Sequence, residues 1–495
     1  MILGIDIGTT GTKTILLDNK GVIIHYSYEG YACIYPRPNY VEQSMDDILS
    51  AMIKTVRNCS NYIPKGDGVE AMCVSVQSGT MIPVKPNGEF FGNAISWLDT
   101  RCEKESTELI EKYGESFFYR KTGWKLGPSF NFIQIYKMCR DMPEETRDLT
   151  FCNVSDCIMH LLVGEYYTDI NSAGNLQLLN VEAGVWDADL LDMAGIRKEQ
   201  LGELVPSGAY VGVIKADAAR LLGLKEGIKV YAGAQDQYCT AVGAGVHHPG
   251  DAMLSTGTSW VLMNITSKPM FDENTYPAVA KHIVGDTYAS FVYTPAGGSA
   301  FKWLKNNVLA PLGAAEAISY DELTEIAEDI APGAEHLMFL PYLGGTLYPS
   351  WNSSMKGMFH GLDFSHDRRH LTRAVLEGVA FELNLMIKGL QEQGLALEKL
   401  SALGGATRSD LWMQIVADIT NLPIMASSVA DVAPIGAAVI AAVGSGMYHS
   451  YGEACQAFQC LSGGRSIEPD LAMHEIYQEI YEKRYYQLNK FLQNS

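Results

Sequence analysis

Three short apolar runs open the chain, and the first two end in turn residues. Ile2-Leu3-Gly4-Ile5-Asp6-Ile7 leads into Gly8-Thr9-Thr10-Gly11-Thr12-Lys13. Ile15-Leu16-Leu17 runs to Asp18-Asn19-Lys20-Gly21, and Val22-Ile23-Ile24 follows. This pattern predicts a β-meander whose first glycine turn joins antiparallel strands. A P-loop or dinucleotide-binding turn would feed a helix instead, and its spacing differs. A similar unit recurs about half a chain later, where Ala252-Met253-Leu254-Ser255 enters Thr256-Gly257-Thr258-Ser259 and Trp260-Val261-Leu262-Met263 continues. Repetition of the unit predicts two α/β domains of related architecture, residues 1–246 and 247–495, divided near His247-His248-Pro249-Gly250.

Two further strand ends carry candidate chemistry. The strand Lys229 to Tyr231 precedes Ala232-Gly233-Ala234-Gln235-Asp236-Gln237, and the strand Leu400 to Leu403 precedes Gly404-Gly405-Ala406-Thr407-Arg408. Ser409 reads as the N-cap of a helix over Asp410 to Thr420. Leu371, Val375, Val379, Leu383, Met386 and Leu390 fall at helical spacing and predict one long amphipathic helix. From about Pro469 the chain reads as a polar, charged helix.

Composition narrows the function classes. With 495 residues, 47% hydrophobic and 19% charged, the chain can bury a substantial core in more than one domain. Its net charge of −20 repels phosphate backbones and anionic lipid, which argues against nucleic-acid or membrane partners. The 10 cysteines include no C-x-x-C pair, so reduced thiols are expected rather than disulfides or zinc. The apolar stretch around Val432 to Val443 contains Pro434 and Gly436 and is too short to span a bilayer. No basic, cleavable leader precedes the first strand, and a soluble, cytoplasmic protein is expected.

The first turn suits a polyphosphate. Glycines admit close backbone approach, threonines add hydroxyl donors, and Asp6 at the strand end can hold Mg²⁺ through water. Read alone, the turn could also be a Thr-rich hairpin with a capping aspartate; a second such turn at Thr256 to Ser259 could clamp the same polyphosphate from the other side. The Gly404 turn offers unpaired N–H groups at a helix start, or is a plain β–α connection. Asp236 is a candidate general base for a hydroxyl acceptor, or a helix cap.

Gly357-Met358-Phe359-His360-Gly361-Leu362, seven residues, and then His370-Leu371-Thr372-Arg373-Ala374-Val375-Leu376-Glu377 agree with the C-terminal signature of the FGGY carbohydrate kinases. The chain resembles that family, which includes xylulokinase, glycerol kinase and gluconate kinase, from Gly4 to about Gly444. Further similar stretches are Ser96 to Arg101, Val154 to Asp156, Trp186 to Leu191 and Gly233 to Gly245. The resemblance implies two ribonuclease-H-like domains of the actin, hexokinase and Hsp70 ATPase type, with ATP and sugar meeting in the cleft between them. By position, Asp236 resembles the catalytic base and Asp6 the Mg²⁺-linked aspartate. Thr9, Thr10, Gly11, Thr12 and Lys13 resemble the first phosphate loop, and Gly257 and Thr258 the second. Gly404, Gly405 and Ala406 fall where the family holds the nucleotide. Gln77, Ser78, Gly79, Trp97, Asp99, Arg101 and Gln237 fall on the sugar side.

Several positions depart from the family. Ser78-Gly79 stands where xylulokinase has Met-His and glycerol kinase has Arg-Glu. Asp236-Gln237 is more like glycerol kinase, and Gly345-Thr346 replaces the usual Glu-Arg after Leu340 to Gly344. Tyr136 stands near a usual tryptophan in the helix after Thr122-Gly123, and the usual lysine is missing. A ketopentose such as D-xylulose is the expected acceptor, with glycerol, erythritol, gluconate or a rarer ketose as alternatives. Gly79→His is expected to leave D-xylulose turnover unchanged or to improve it. An actin- or Hsp70-like ATPase and a catalytically silent sugar sensor are the readings from other classes. A homodimer is common among related families.

Overall fold

The computed structural model describes residues 1–310, 318–352, 354–427, 429, 431–458 and 464–493. The first large sheet contains β1 (Ile2–Ile7), β2 (Gly11–Leu17), β3 (Ile23–Gly30), β4 (Ala71–Val76), β5 (Tyr210–Val213) and β6 (Lys229–Gln235), in the order β5-β6-β4-β1-β2-β3. The second contains β7 (Asp251–Thr256), β8 (Trp260–Thr266), β9 (Ala278–Lys281), β10 (Tyr288–Thr294), β11 (Lys399–Leu403), β12 (Ile424–Ala426) and β13 (Arg465–Ile467), in the order β9-β10-β8-β7-β11-β12-β13.

The two sheets repeat one plan. β1, β2 and β3 form an antiparallel meander, and β4 and then β6 join β1 in parallel. Likewise β7, β8 and β10 form a meander, and β11 and then β12 join β7 in parallel. An antiparallel strand closes each parallel side, β5 on β6 and β13 on β12.

Central strands are buried on both faces, which explains why β1 and β4 read as nearly continuous apolar runs. Leu3, Ile5 and Ile7 cluster with Ile48, Met52 and Val56 of the helix Met45–Ser60. Ile2 lies on the opposite face and clusters with Ala437, Ala438 and Ala441 of the helix Ala433–Gly444. That apolar stretch is a core helix. Among the described residues no helix is long and apolar enough to cross a membrane. Among the described residues, Cys33, Cys59, Cys73, Cys102, Cys139, Cys152, Cys157 and Cys239 are free thiols.

The structure extends several sequence expectations. β6 runs past Tyr231 to Gln235, and β3 begins at Ile23 and continues to Gly30. The expected amphipathic helix spans Arg368–Glu392. The terminal segment is less polar than expected. Its helices Leu471–Ile480 and Tyr486–Gln493 flank a π-helical turn, and Tyr477, Tyr481 and Tyr485 enter the core. The Tyr477 hydroxyl donates to Glu377 at 2.8 Å and the Tyr485 hydroxyl to Glu382 at 2.7 Å, so the segment straps the long helix. Spaced four residues apart, the three tyrosines form a stripe that the surrounding charges disguise.

Candidate active site

Five of the candidate motifs stand at the C-terminal ends of strands that pair in parallel. Asp6 and the first glycine turn close β1, Gln77 follows β4, and Asp236 follows β6. Gly257 follows β7 and Gly404 follows β11. Open sheets collect ligands at that edge, because the loops there diverge.

The first sheet supplies the charges. Asp6 is 4% exposed, and Ser75 Oγ donates to its Oδ1 at 2.8 Å. Lys13 Nζ lies 3.8 Å from Asp6 Oδ2 and 2.6 Å from Asp431 Oδ1. Burial raises the Asp6 carboxyl above its ordinary value, against the Ser75 bond and the Lys13 charge. Burial alone would lower the Lys13 ammonium, but the bond to Asp431 and the nearby carboxylates hold it above the ordinary lysine value. Asp236 is the first residue of the helix Asp236–Gly243, whose N-cap is Gln235, and it accepts from the Gln237 N–H at 2.8 Å. Burial and then the Asp6 charge push its carboxyl up to about 7. A carboxylate poised there can both accept and release a proton near neutrality. Its placement at a helix start is therefore compatible with base chemistry.

The rest of the first turn divides its work. Thr10 is exposed, whereas Thr12 is buried in β2 and its Oγ1 has no protein partner. Gly11 passes so close to Tyr28 that a Cβ there would lie 2.5 Å from the ring. Trp97, 44% exposed, donates its indole N–H to Thr9 Oγ1 at 3.0 Å, tying the segment after Ile95 to the first glycine turn.

A chain of amides continues from Thr9. Gln43 Nε2 donates to the Thr9 carbonyl at 2.8 Å, and Gln77 Nε2 donates to Gln43 Oε1 at 2.9 Å. This order starts at a backbone carbonyl, so it fixes both amide orientations and leaves Gln77 Oε1 buried without a donor. Asn131 behaves alike. Its Nδ2 donates to the Gly79 carbonyl at 2.8 Å, and its buried Oδ1 has no protein donor. Gln237 Oε1 is a third such acceptor.

Ser78 and Gly79 form the bend after β4, with Gly79 at φ +64°. A Cβ there would lie 3.3 Å from Trp97 Cβ. Any side chain at 79 is strained in this backbone, which reverses the expectation for Gly79→His. Asp99 is fully buried and accepts from Arg101 Nε and Nη2 at 2.8 and 2.7 Å and from the Val41 N–H at 2.7 Å. Arg101 also bonds Glu42 at 2.8 Å and lies over the Tyr40 ring. Asp99 thus positions Arg101, which lines a separate cavity of about 470 Å³ with Tyr40 and Glu42.

The second sheet supplies a cradle of glycine turns ringed by aromatic and cationic side chains. A cavity of about 520 Å³ brings together Gly257, Thr258, Gly405 and Ala406 with Gly298, Ser299, Phe301, Tyr320 and Trp412, and with Lys302, Lys305 and Arg408. The N–H groups of Gly298 and Ser299 donate to the carbonyls of Gly257 and Thr258, each at 3.0 Å. Gly404 lies at φ +108°, where a Cβ would sit 3.0 Å from the Thr256 backbone. It shapes the turn from behind and is absent from the cavity lining. The turn enters a short 3₁₀ segment, Gly405–Arg408, before Ser409 caps the helix Asp410–Thr420.

Asp431, Gln43, Asn131, Gly298 and Ser299 were not singled out by sequence. No local motif marks them; Tyr26 and Asp431, for example, bond at 2.9 Å across 405 residues. Among the described residues, no group of three or more His, Cys, Asp and Glu side chains is arranged to hold a metal ion. Asp6 suits an ion that arrives with its nucleotide, since Mg²⁺ keeps most of its water and needs only one or two carboxylates.

Two lobes of one topology, each offering a glycine turn at the parallel-strand edge, make the two-domain architecture of the actin- and hexokinase-like ATPases. Residues 1–243 match the N-terminal domain and residues 252–445 the C-terminal domain of the FGGY family of carbohydrate kinases. The chain is 30% identical over 485 residues to the xylulose kinase of Staphylococcus epidermidis, covering 97% of this chain and 95% of that one. It is 28% identical over 463 residues to the gluconokinase of Bacillus licheniformis, covering 91% and 88%. The crystal structure of xylulose kinase from Rhodospirillum rubrum superposes with a TM-score of 0.90 at 28% identity, covering 99% of both chains. The chain belongs to the FGGY family of carbohydrate kinases. It is a sugar kinase, a phosphotransferase with ATP as co-substrate.

Proposed function

We propose that the chain transfers the γ-phosphoryl group of MgATP to a hydroxyl of a neutral ketopentose such as D-xylulose. Asp236 takes the hydroxyl proton as the oxygen attacks in line. Thr9 to Lys13 and Gly257-Thr258 hold the terminal phosphates from the two lobes, and Gly404 to Ala406 shape the nucleotide cavity. Asp6 faces the water shell of the Mg²⁺, which neutralises phosphate charge when bound. Gln77, Ser78, Gly79, Trp97 and Gln237 form the acceptor side, with Asp99 and Arg101 supporting it from behind.

The observation that carries the neutral acceptor is the set of orphaned oxygens, Gln77 Oε1, Asn131 Oδ1 and Gln237 Oε1. A buried acceptor without a donor costs about 1–3 kcal/mol, and a substrate hydroxyl removes that cost. A sugar acid's carboxylate has no hydrogen to give and needs a cation. Arg101, the cation that the sequence placed on this side, is committed to Asp99 and Glu42. The xylulose kinase relatives support the same choice. Gluconate is the second reading, favoured by the gluconokinase relative.

A coupled ADP-release screen over ketoses, polyols and sugar acids decides between them. The highest kcat/KM is expected for D-xylulose or a related ketose; a preference for gluconate would overturn the neutral-acceptor reading. We further propose that residues 1–246 and 247–495 are the two domains, with the helix Ala433–Gly444 of the second packed on the first sheet, that the protein works in the cytoplasm, and that it forms a homodimer. Sedimentation equilibrium tests the last.

A further inference from the structure

Asp431 lies outside every sequence motif, yet it makes the shortest ion pair in the site, at 2.6 Å to Lys13 Nζ. Its second oxygen accepts from the Tyr26 hydroxyl at 2.9 Å. Lys13 and Tyr26 sit on adjacent strands, where Lys13 pairs with Tyr28 and Ile15 with Tyr26. Period-two alternation therefore puts Lys13, Tyr28 and Tyr26 on one face of the sheet, and one carboxylate bridges two side chains of that face.

The segment presenting Asp431 is docked rigidly. The helix Ala433–Gly444 packs on β1, β2, β4, β6 and the helix Asp236–Gly243, all from the first half of the chain. A Cβ on Gly4 of β1 would lie 2.0 Å from the Pro434 carbonyl oxygen, and one on Gly436 would lie 1.8 Å from the Cys239 carbonyl oxygen. Backbone therefore meets backbone on the same two elements that carry Asp6 and Asp236. Although Asp431 belongs to the second half in sequence, it moves with the first sheet, so lobe closure leaves the Lys13–Asp431 pair intact. An interlobe latch would be broken by that motion.

Lys13 lies between two carboxylates, 2.6 Å from Asp431 and 3.8 Å from Asp6. Without Asp431 the ammonium would collapse onto Asp6, pairing the one carboxylate that faces the nucleotide's metal. We propose that Asp431 is a positioning residue for Lys13, holding its ammonium off Asp6 and presenting it to the terminal phosphates of the nucleotide. The proposal rests on the first turn being a phosphate loop.

The test is a double-mutant cycle of Asp431→Asn and Lys13→Met, read by calorimetric ATP affinity without acceptor and by kcat. Asp431→Asn alone should weaken ATP binding about tenfold and lower kcat to a similar extent, as for loss of a charge-assisted bond, with sugar KM unchanged. In the Lys13→Met background it should change neither quantity by more than about twofold. Asp431→Glu should retain part of both. Equal effects in the two backgrounds, or unchanged or tighter ATP binding in Asp431→Asn, would overturn the proposal. Should Asp431→Asn fail to fold, Tyr26→Phe is read instead, with ATP binding weakened about two- to threefold in the Lys13 background only. Calorimetry reports on Lys13 whatever the acceptor is, so a failed acceptor assignment appears only in the turnover screen.

Discussion

The two sheets share one strand plan but not one chemistry. Behind the first glycine turn stand Asp6, Lys13, Asp236 and Asp431, with carboxyl and ammonium groups that perturb one another. Behind the second turn stand Gly298, Ser299, Gly404 and Gly405, with aromatic and cationic side chains around them. Topology duplicates the location of a ligand edge, and side chains then divide the labour. In the proposed mechanism one edge stores the charge needed to move a proton, and the other holds a polyphosphate by shape and backbone. The two turns should therefore fail differently when mutated.

The largest effect is expected at the charged edge. Asp236→Asn should lose turnover by about two to four orders of magnitude while still binding ATP and sugar, as for a missing general base. Steady-state kinetics with calorimetry on the variant checks this, and wild-type-like kcat would refute the base. At the second edge, Gly404→Val adds a branched side chain where φ is +108° and Thr256 lies 3.0 Å away. ATP affinity should fall about tenfold or more with sugar KM little changed, since strain of this kind costs about 1–3 kcal/mol. Equal losses for both ligands would mean the turn supports the whole cleft.

A smaller and opposite split is expected for Gly79→His. Strain at φ +64° and the contact with Trp97 should raise acceptor KM several-fold, by about 1 kcal/mol, and leave ATP affinity intact. Improved D-xylulose turnover would show that the bend relaxes around a side chain.

The smallest effect concerns stability. Asp236 titrates at about 7 in the folded chain and near the ordinary aspartate value of about 3.9 when unfolded. The folded state binds the extra proton between those values, so the group's stabilising contribution is complete below about 3.9 and is lost as pH rises through 7. Asp236→Asn should therefore melt about 2 °C or more above the wild type at pH 8, with a smaller difference at pH 5. Differential scanning calorimetry at the two pH values reads this directly, and an equal shift at both would contradict a raised carboxyl.

Much of this was legible in the sequence because it is local. The strand–turn–strand units at Ile2 and Ala252, the helix through Leu371 to Leu390 and the Ser409 cap all announce themselves within a few residues. The terminal segment was misjudged because Tyr477, Tyr481 and Tyr485 find Glu377, Glu382 and the core only after long-range packing. Asp431 escaped for the same reason: no spacing rule links it to Lys13. Asp99 and Arg101 were legible as a pair, but not as a clasp in which fully buried Asp99 holds the Arg101 guanidinium. Gly79 was read as a missing side chain, whereas its positive φ makes it a backbone requirement.

The central claim is that a half-buried carboxylate at the end of β6 serves as the base for sugar phosphorylation, and the pH dependence of kcat tests it most directly. For the wild type under saturating MgATP and sugar, kcat should rise with pH through an apparent pKa of about 7, as Asp236 loses its proton. The residual activity of Asp236→Asn should lack that limb. A wild-type profile flat from pH 5.5 to 8.5 (about three units around the midpoint), or the same limb surviving in the variant, would contradict the account.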